Sequence, residues 1–145
     1  MSYQVKDYMT KEVNTINSEA TVTEVAKLMV ADKNYGGYAI VLKEGKPVGI
    51  VTERDLVNKV LAKDLDPAGT KVAEIMSTPL VTVNPDDDLL KASKLMQEQN
   101  VRKLVVVVDE IIYGIIKAKD IARRCGEYVN RSVRDAIRWT AAISI

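Results

Sequence analysis

Two segments of this chain place an aspartate shortly after a glycine and a hydrophobic pair: Gly49-Ile50-Val51-Thr52-Glu53-Arg54-Asp55 and Gly114-Ile115-Ile116-Lys117-Ala118-Lys119-Asp120. The first brings a hydroxyl and a carboxylate within one turn of chain. An ionised carboxylate accepts two hydroxyl protons in charge-assisted bonds, and a helix start presents unpaired N–H groups to a phosphate. Thr52 and Asp55 together could therefore take hydroxyl or anionic groups of a ligand. The same Thr-x-x-Asp spacing at a strand-to-helix junction is also that of a helix N-cap, with Asp55 favourable to the helix dipole. In the second segment Lys117 replaces the hydroxyl residue. That lysine supplies charge to a phosphate, fills the cavity, or marks a site that has been lost.

Composition narrows the chemistry further. The 145 residues include no histidine and one cysteine, which removes the usual general base, most transition-metal ligand sets and any internal disulfide. Neither a catalytic constellation nor a metal site is expected. With 21 basic against 20 acidic residues there is no bulk electrostatic argument for nucleic acid or membrane. At 47% hydrophobic and 28% charged the chain has the makeup of a globular protein. No apolar run approaches the roughly 20 residues that span a bilayer, and the first residues lack a signal-peptide pattern, so the expected location is the cytoplasm.

The elements that position these residues come as a duplication. Val5-Lys6-Asp7-Tyr8-Met9-Thr10 is answered 67 positions later by Val72-Ala73-Glu74-Ile75-Met76-Ser77, and Thr15-Ile16-Asn17 by Thr82-Val83-Asn84. From Gly49 and Gly114 onward the offset is 65, so the first copy holds two extra residues after its Met29 helix. In copy one, Val13 to Ile16 reads as a strand. A helix follows behind Thr21, with Val22, Val25, Ala26, Met29 and Val30 at helical spacing and Glu24 completing a capping box. Tyr38 to Leu42 and Val48 to Thr52 read as a hairpin, and Leu56, Val57, Val60 and Leu61 as one face of a second helix. Copy two repeats the order: strand Leu80 to Val83, helix Asp88 to Glu98, strands Lys103 to Val108 and Ile112 to Lys117, and a helix from Asp120. Leu104 to Val108 is apolar throughout, which predicts a buried central strand. Units of about 60 residues bury little core alone, so the copies should pack together and a ligand cleft should lie between them.

This doubled strand, helix, strand, strand, helix unit, closed by Gly-Ile-Val-Thr-Glu-Arg-Asp at 49–55, resembles a tandem pair of CBS domains, the Bateman module named after cystathionine β-synthase. The resemblance covers about residues 5 to 125. It implies an α+β fold of two pseudo-symmetric repeats, 1–66 and 67–126, and a non-catalytic regulatory role without a cofactor. The implied regulatory ligand is an adenosine-containing small molecule of the AMP, ADP or ATP class. Asp55 would bond its ribose hydroxyls and Thr52 its ribose or phosphate. Arg102 and Lys103, which correspond to Gly37 and Tyr38 of copy one, would reach a phosphate or stand as solvated charges, and Tyr38 would join the ligand-binding residues. Ile50, Val81 and Val83 would flank the purine or serve simply as core. Asp120 would be the acid of a second site. The resemblance further implies a homodimer and a regulated protein partner.

Residues 127–145 lie beyond the repeats. Val129, Val133, Ala136, Ile137 and Thr140 form one helical stripe opposed by Arg131, Arg134 and Arg138, the pattern of an amphipathic helix with a basic face. It either docks on the module or a second copy, or acts as an adaptor that binds nucleic acid or an acidic protein. A membrane-surface role has little support, since Trp139 is the one strongly interfacial aromatic there. Cys125 is expected to face the core.

Overall fold

The computed structural model describes residues 3–33, 36–125 and 138. In the first repeat β1 (Thr15–Asn17) leads to α1 (Val22–Ala31), the hairpin of β2 (Tyr38–Lys43) and β3 (Lys46–Thr52), and α2 (Glu53–Leu56), which runs directly into a π-helical turn (Val57–Leu61). A short α3 (Val72–Ile75) precedes the second repeat: β4 (Thr82–Val83), α4 (Leu89–Gln99), β5 (Lys103–Val108), β6 (Ile111–Lys117) and α5 (Ala118–Cys125). The expected order occurs twice, in an α+β fold.

Each repeat builds one three-stranded mixed sheet, β1-β2-β3 and β4-β5-β6. The middle strand is parallel to the first and antiparallel to the last. As its composition predicts, β5 is central, with Leu104, Val105 and Val106 fully buried. The capping box of Thr21 and Glu24 is formed and starts α1 where expected.

The compact units are not the sequence repeats. One comprises residues 13–80; the other joins the residues up to Glu12 to those from Val81 onward. A division at residues 66 and 67 thus separates the repeats along the chain but not the units. The cause is an exchange of leading segments. Ser77 N–H donates to Ile50 O at 2.8 Å and Ile50 N–H returns a bond to Ser77 O at 3.2 Å, so the segment that opens repeat two pairs with β3 of repeat one. Thr10 and Ile115 make the same reciprocal pair on β6, at 2.8 and 2.9 Å. One edge of each sheet, β3 or β6, is covered in part by the start of the other repeat, which leaves less of that strand open to unwanted pairing.

These crossings account for the repeated glycine. A Cβ on Gly49 would sit 2.7 Å from Met76 Sδ and 3.0 Å from Ser77 O; one on Gly114 would sit 2.5 Å from Thr10 O and 3.1 Å from Met9 Sδ. A backbone crossing that close admits no side chain. Met9 and Met76 are partly buried and pack against the cores of their units.

Each unit has its own apolar core. Val22, Val25, Met29, Ala39, Val41, Val51, Val60, Val72 and Ile75 form that of residues 13–80. Val5, Leu89, Ala92, Met96, Leu104, Val106, Ile116 and Ile121 are in the other. The predicted helical stripes are too wide. Val30 is 75% exposed, and Val57 and Leu61 are exposed at 54% and 64% while Val60 is buried. Only the Leu56–Val60 edge of that face meets the core. The last helix begins at Ala118 rather than Asp120, because Arg102 O at the entry to β5 accepts the Ala118 N–H at 2.9 Å. Among the described residues no helix is long and apolar enough to cross a membrane.

Candidate functional site

Strand alternation sorts the site residues before any bond is considered. Ala39, Val41 and Val51 point into the core of residues 13–80, so Tyr38, Ile40, Ile50 and Thr52 share the opposite face of that sheet. Ile50 and Thr52 are half-buried there. In the other unit the core takes Leu104, Val106 and Ile116, which leaves Lys103, Val105, Ile115 and Lys117 on the corresponding face.

Thr52 ends β3 in an extended conformation and is the N-cap of α2. Its N–H donates to Asp55 Oδ2 at 2.9 Å, its hydroxyl donates to the same oxygen at 3.3 Å, and Asp55 N–H donates back to Thr52 Oγ at 3.4 Å. The capping reading of Thr-x-x-Asp is therefore realised. Glu53 N–H, the next unpaired donor, goes to Gly37 O at 3.0 Å. Gly37 has a positive φ of 63°, and a Cβ there would run into the Glu53 carboxylate.

The other carboxylate oxygen looks elsewhere. Asp55 Oδ1 accepts from Ser77 Oγ at 3.1 Å and from Lys59 Nζ at 3.0 Å. Lys59 Nζ also donates to Ile75 O at 3.0 Å and to Ser77 Oγ at 3.3 Å. Asp55 is 7% exposed, yet the Lys59 side chain is 42% exposed. A nearly buried charge at a helix start is thus held by one hydroxyl, one capping residue and one movable cation. An acid so arranged can exchange its outer partners for the hydroxyls of a ligand while Thr52 keeps it in place.

Ser77 and Lys59 are the members that sequence reading missed. Two signals point to them: Ser77 repeats the hydroxyl of Thr10, and Lys59 follows Asp55 at the i,i+4 spacing of a helical ion pair.

The remaining predicted residues are placed as follows. Tyr38 is buried, and its hydroxyl accepts the Asn14 N–H at 3.3 Å. Burial pushes its phenol above the ordinary 10.0, the Asn14 bond pulls it back, and Asp32 pushes it up again. Tyr38 thereby belongs to a local network in which Asp32 Oδ2 accepts from Asn14 Nδ2 and Gly36 N–H, both at 2.8 Å. Val83 lies in the core of its unit and Val81 packs against that core; by register with Val105, the side chain of β4 on the opposite face is Thr82. Arg102, Lys103 and Asp120 are half-buried, and Lys117 is buried at 8% exposure. A groove of about 490 Å³ runs along α4 past Leu90, Lys94, Leu95 and Glu98, on none of the predicted site residues. Among the described residues no group of three or more His, Cys, Asp or Glu is arranged to hold a metal ion. Apart from Arg138, the predicted amphipathic segment 127–145 lies outside the described residues, as does the side chain of Cys125.

A family model for the CBS domain matches residues 5–62 and again 72–127. The chain belongs to the CBS domain family. It is 37% identical over 118 residues to the CBS domain-containing protein YhcV of Bacillus subtilis, covering 81% of this chain and 82% of that one. Other curated relatives are longer: this CBS pair spans 31% and 38% of two Methanocaldococcus jannaschii proteins and 61% of one from Methanopyrus kandleri. Among solved structures, the hexameric CBS-CP12 protein from bloom-forming cyanobacteria is similar at a TM-score of 0.77 and 29% identity, with 98% of each chain covered. PAE2072 from Pyrobaculum aerophilum, complexed with AMP, shares the fold at a TM-score of 0.75 and 24% identity, covering 94% of this CBS pair and 98% of that chain.

Proposed function

We propose that this CBS pair is a non-catalytic regulatory module that binds an adenosine-containing ligand of the AMP, ADP or ATP class at Thr52 and Asp55. The observation that carries the reading is the Asp55 carboxylate, nearly buried at a helix start and bonded on one oxygen to a hydroxyl and an exchangeable lysine. A ribose hydroxyl is the natural replacement for that lysine. In this reading Thr52 meets the ribose or phosphate and Ile50 flanks the purine. The AMP bound by PAE2072 is in keeping with this, although its likeness to this chain is one of fold.

Regulation would follow from differential affinity: a ligand that favours one arrangement of the repeats shifts its population, and a partner protein reads the shift. The exposed apolar side chains Val30, Val57 and Leu61 offer helix surface to a second copy, which supports a homodimer.

Thermal melting with AMP, ADP, ATP and adenosine tests the reading. Linkage predicts a stabilisation of about 2.7 kcal/mol at a ligand concentration of about 100 times Kd. Asp55→Asn keeps an acceptor for the cap but removes the charge, and should abolish the shift. A shift that survives Asp55→Asn unchanged would move the site elsewhere, and no shift with any purine metabolite would reject the sensing role.

A further inference from the structure

The Asp55 carboxylate has no acceptor capacity to spare. An ionised carboxylate offers about four lone-pair positions. Here Oδ2 takes the Thr52 N–H and hydroxyl, and Oδ1 takes the Ser77 hydroxyl and the Lys59 ammonium. A ligand hydroxyl must displace one of these donors before it can bond. The two on Oδ2 belong to the helix cap. Of the two on Oδ1, Ser77 is fixed by its paired backbone on β3, whereas Lys59 reaches in on a flexible stem whose side chain is 42% exposed. An ion pair of that exposure is weak and opens readily.

We infer that Lys59 is a specificity-determining residue, a tethered competitor that occupies the diol-binding oxygen of Asp55 until ligand displaces it. This rests on the ligand-binding reading above. Displacement has two consequences. Lys59 is released as a cation beside the site, so a ligand with an anionic group re-pairs it and an uncharged nucleoside does not; the site thereby favours the phosphorylated form. Lys59 also leaves Ile75 O and Ser77 Oγ, which frees the π-helical turn Val57–Leu61 from the segment that opens the second repeat. Single π turns recur at functional positions. This one carries the lysine that senses the ligand.

The test uses the full chain and two probes, adenosine and AMP, titrated calorimetrically into wild type, Lys59→Met, Lys59→Arg and Asp55→Asn. With the competitor gone, Lys59→Met should bind adenosine roughly three- to fivefold more tightly than wild type. Its preference for AMP over adenosine should shrink, and Lys59→Arg should behave as wild type. Hydrogen exchange supplies a readout that a merely structural lysine would not move: AMP should raise exchange across residues 57–62 in wild type and leave it unchanged in Lys59→Met. Adenosine binding that is equal or weaker in a folded Lys59→Met overturns the competitor while leaving the ligand site intact. Absence of heat with both probes in all four proteins overturns the ligand site itself. Adenosine binding visible only in Lys59→Met supports both.

Discussion

The two strand-to-helix junctions began as copies and now do different things. At the first, Thr52 caps α2, and Asp55 is buried beneath it with Ser77 and Lys59 on its outer oxygen. At the second, Lys117 is the buried group and Asp120 is only half-buried. The backbone frame is nevertheless shared: Glu53 N–H binds Gly37 O at 3.0 Å, and Ala118 N–H binds Arg102 O at 2.9 Å. Equal scaffolds therefore do not make equal sites. The strand ends in Thr52 at the first junction and in Lys117 at the second, and the first junction alone retains the full hydroxyl-and-acid pattern.

The largest effect that would sharpen this contrast is steric and common to both copies. Gly114→Ala puts a methyl 2.5 Å from Thr10 O, a backbone atom held in a reciprocal pair, and should cost about 3 kcal/mol. Gly49→Ala meets the Met76 thioether first and should cost about half as much, since a flexible side chain yields more easily. Urea denaturation of both variants measures the difference; an equal loss would mean the two crossings are equally rigid.

Next comes the acid itself. Asp55→Ala removes the acidic half of the capping box and leaves the Thr52 N–H without its acceptor, for a loss of about 2 kcal/mol. Asp120→Ala, less buried, should lose under about 1 kcal/mol, and comparable melting shifts for the two would erase the asymmetry. Thr52→Ala should cost about 1 kcal/mol in the same assay, near the value of an ordinary N-cap. A value near zero would show that Asp55 holds the helix start without help.

The smallest effect is confined to alkaline pH. Burial holds the Tyr38 phenol above its ordinary 10.0 in the folded chain. Below pH 10 both folded and unfolded chains keep the proton; above it the unfolded chain ionises first, so this group's contribution is lost as pH rises through the folded pKa. Tyr38→Phe should therefore lose less stability between pH 9 and pH 11 than wild type, whatever its offset at neutral pH. Parallel pH profiles would show that the tyrosine titrates normally.

How far these differences were legible beforehand depends on the range of the forces involved. The doubling, the α+β order, the Thr21 capping box and the central position of β5 could all be read in the chain, because they rest on periodicity and on contacts a few residues apart. So could Thr52 and Asp55, which are three residues apart and bond each other. Lys59 was legible in principle at i,i+4, but an ion pair of that spacing is so common on helix surfaces that it marks nothing by itself. The over-wide stripe of Val57 and Leu61 shows the converse failure, since hydrophobicity indicates which side chains suit a core but not how much core surface there is to cover.

Sequence alone determined the local devices of this protein: a repeated frame, its helix starts, and a hydroxyl-and-carboxylate pair at one junction. Tertiary structure decided that the two leading segments change places, that glycine is obligatory where they cross, and that Ser77 arrives from the other repeat to complete the surroundings of Asp55. The physical reason is sequence separation. Asp55 and Ser77 lie 22 positions apart, and only a folded sheet edge that pairs Ile50 with Ser77 brings their oxygens to 3.1 Å.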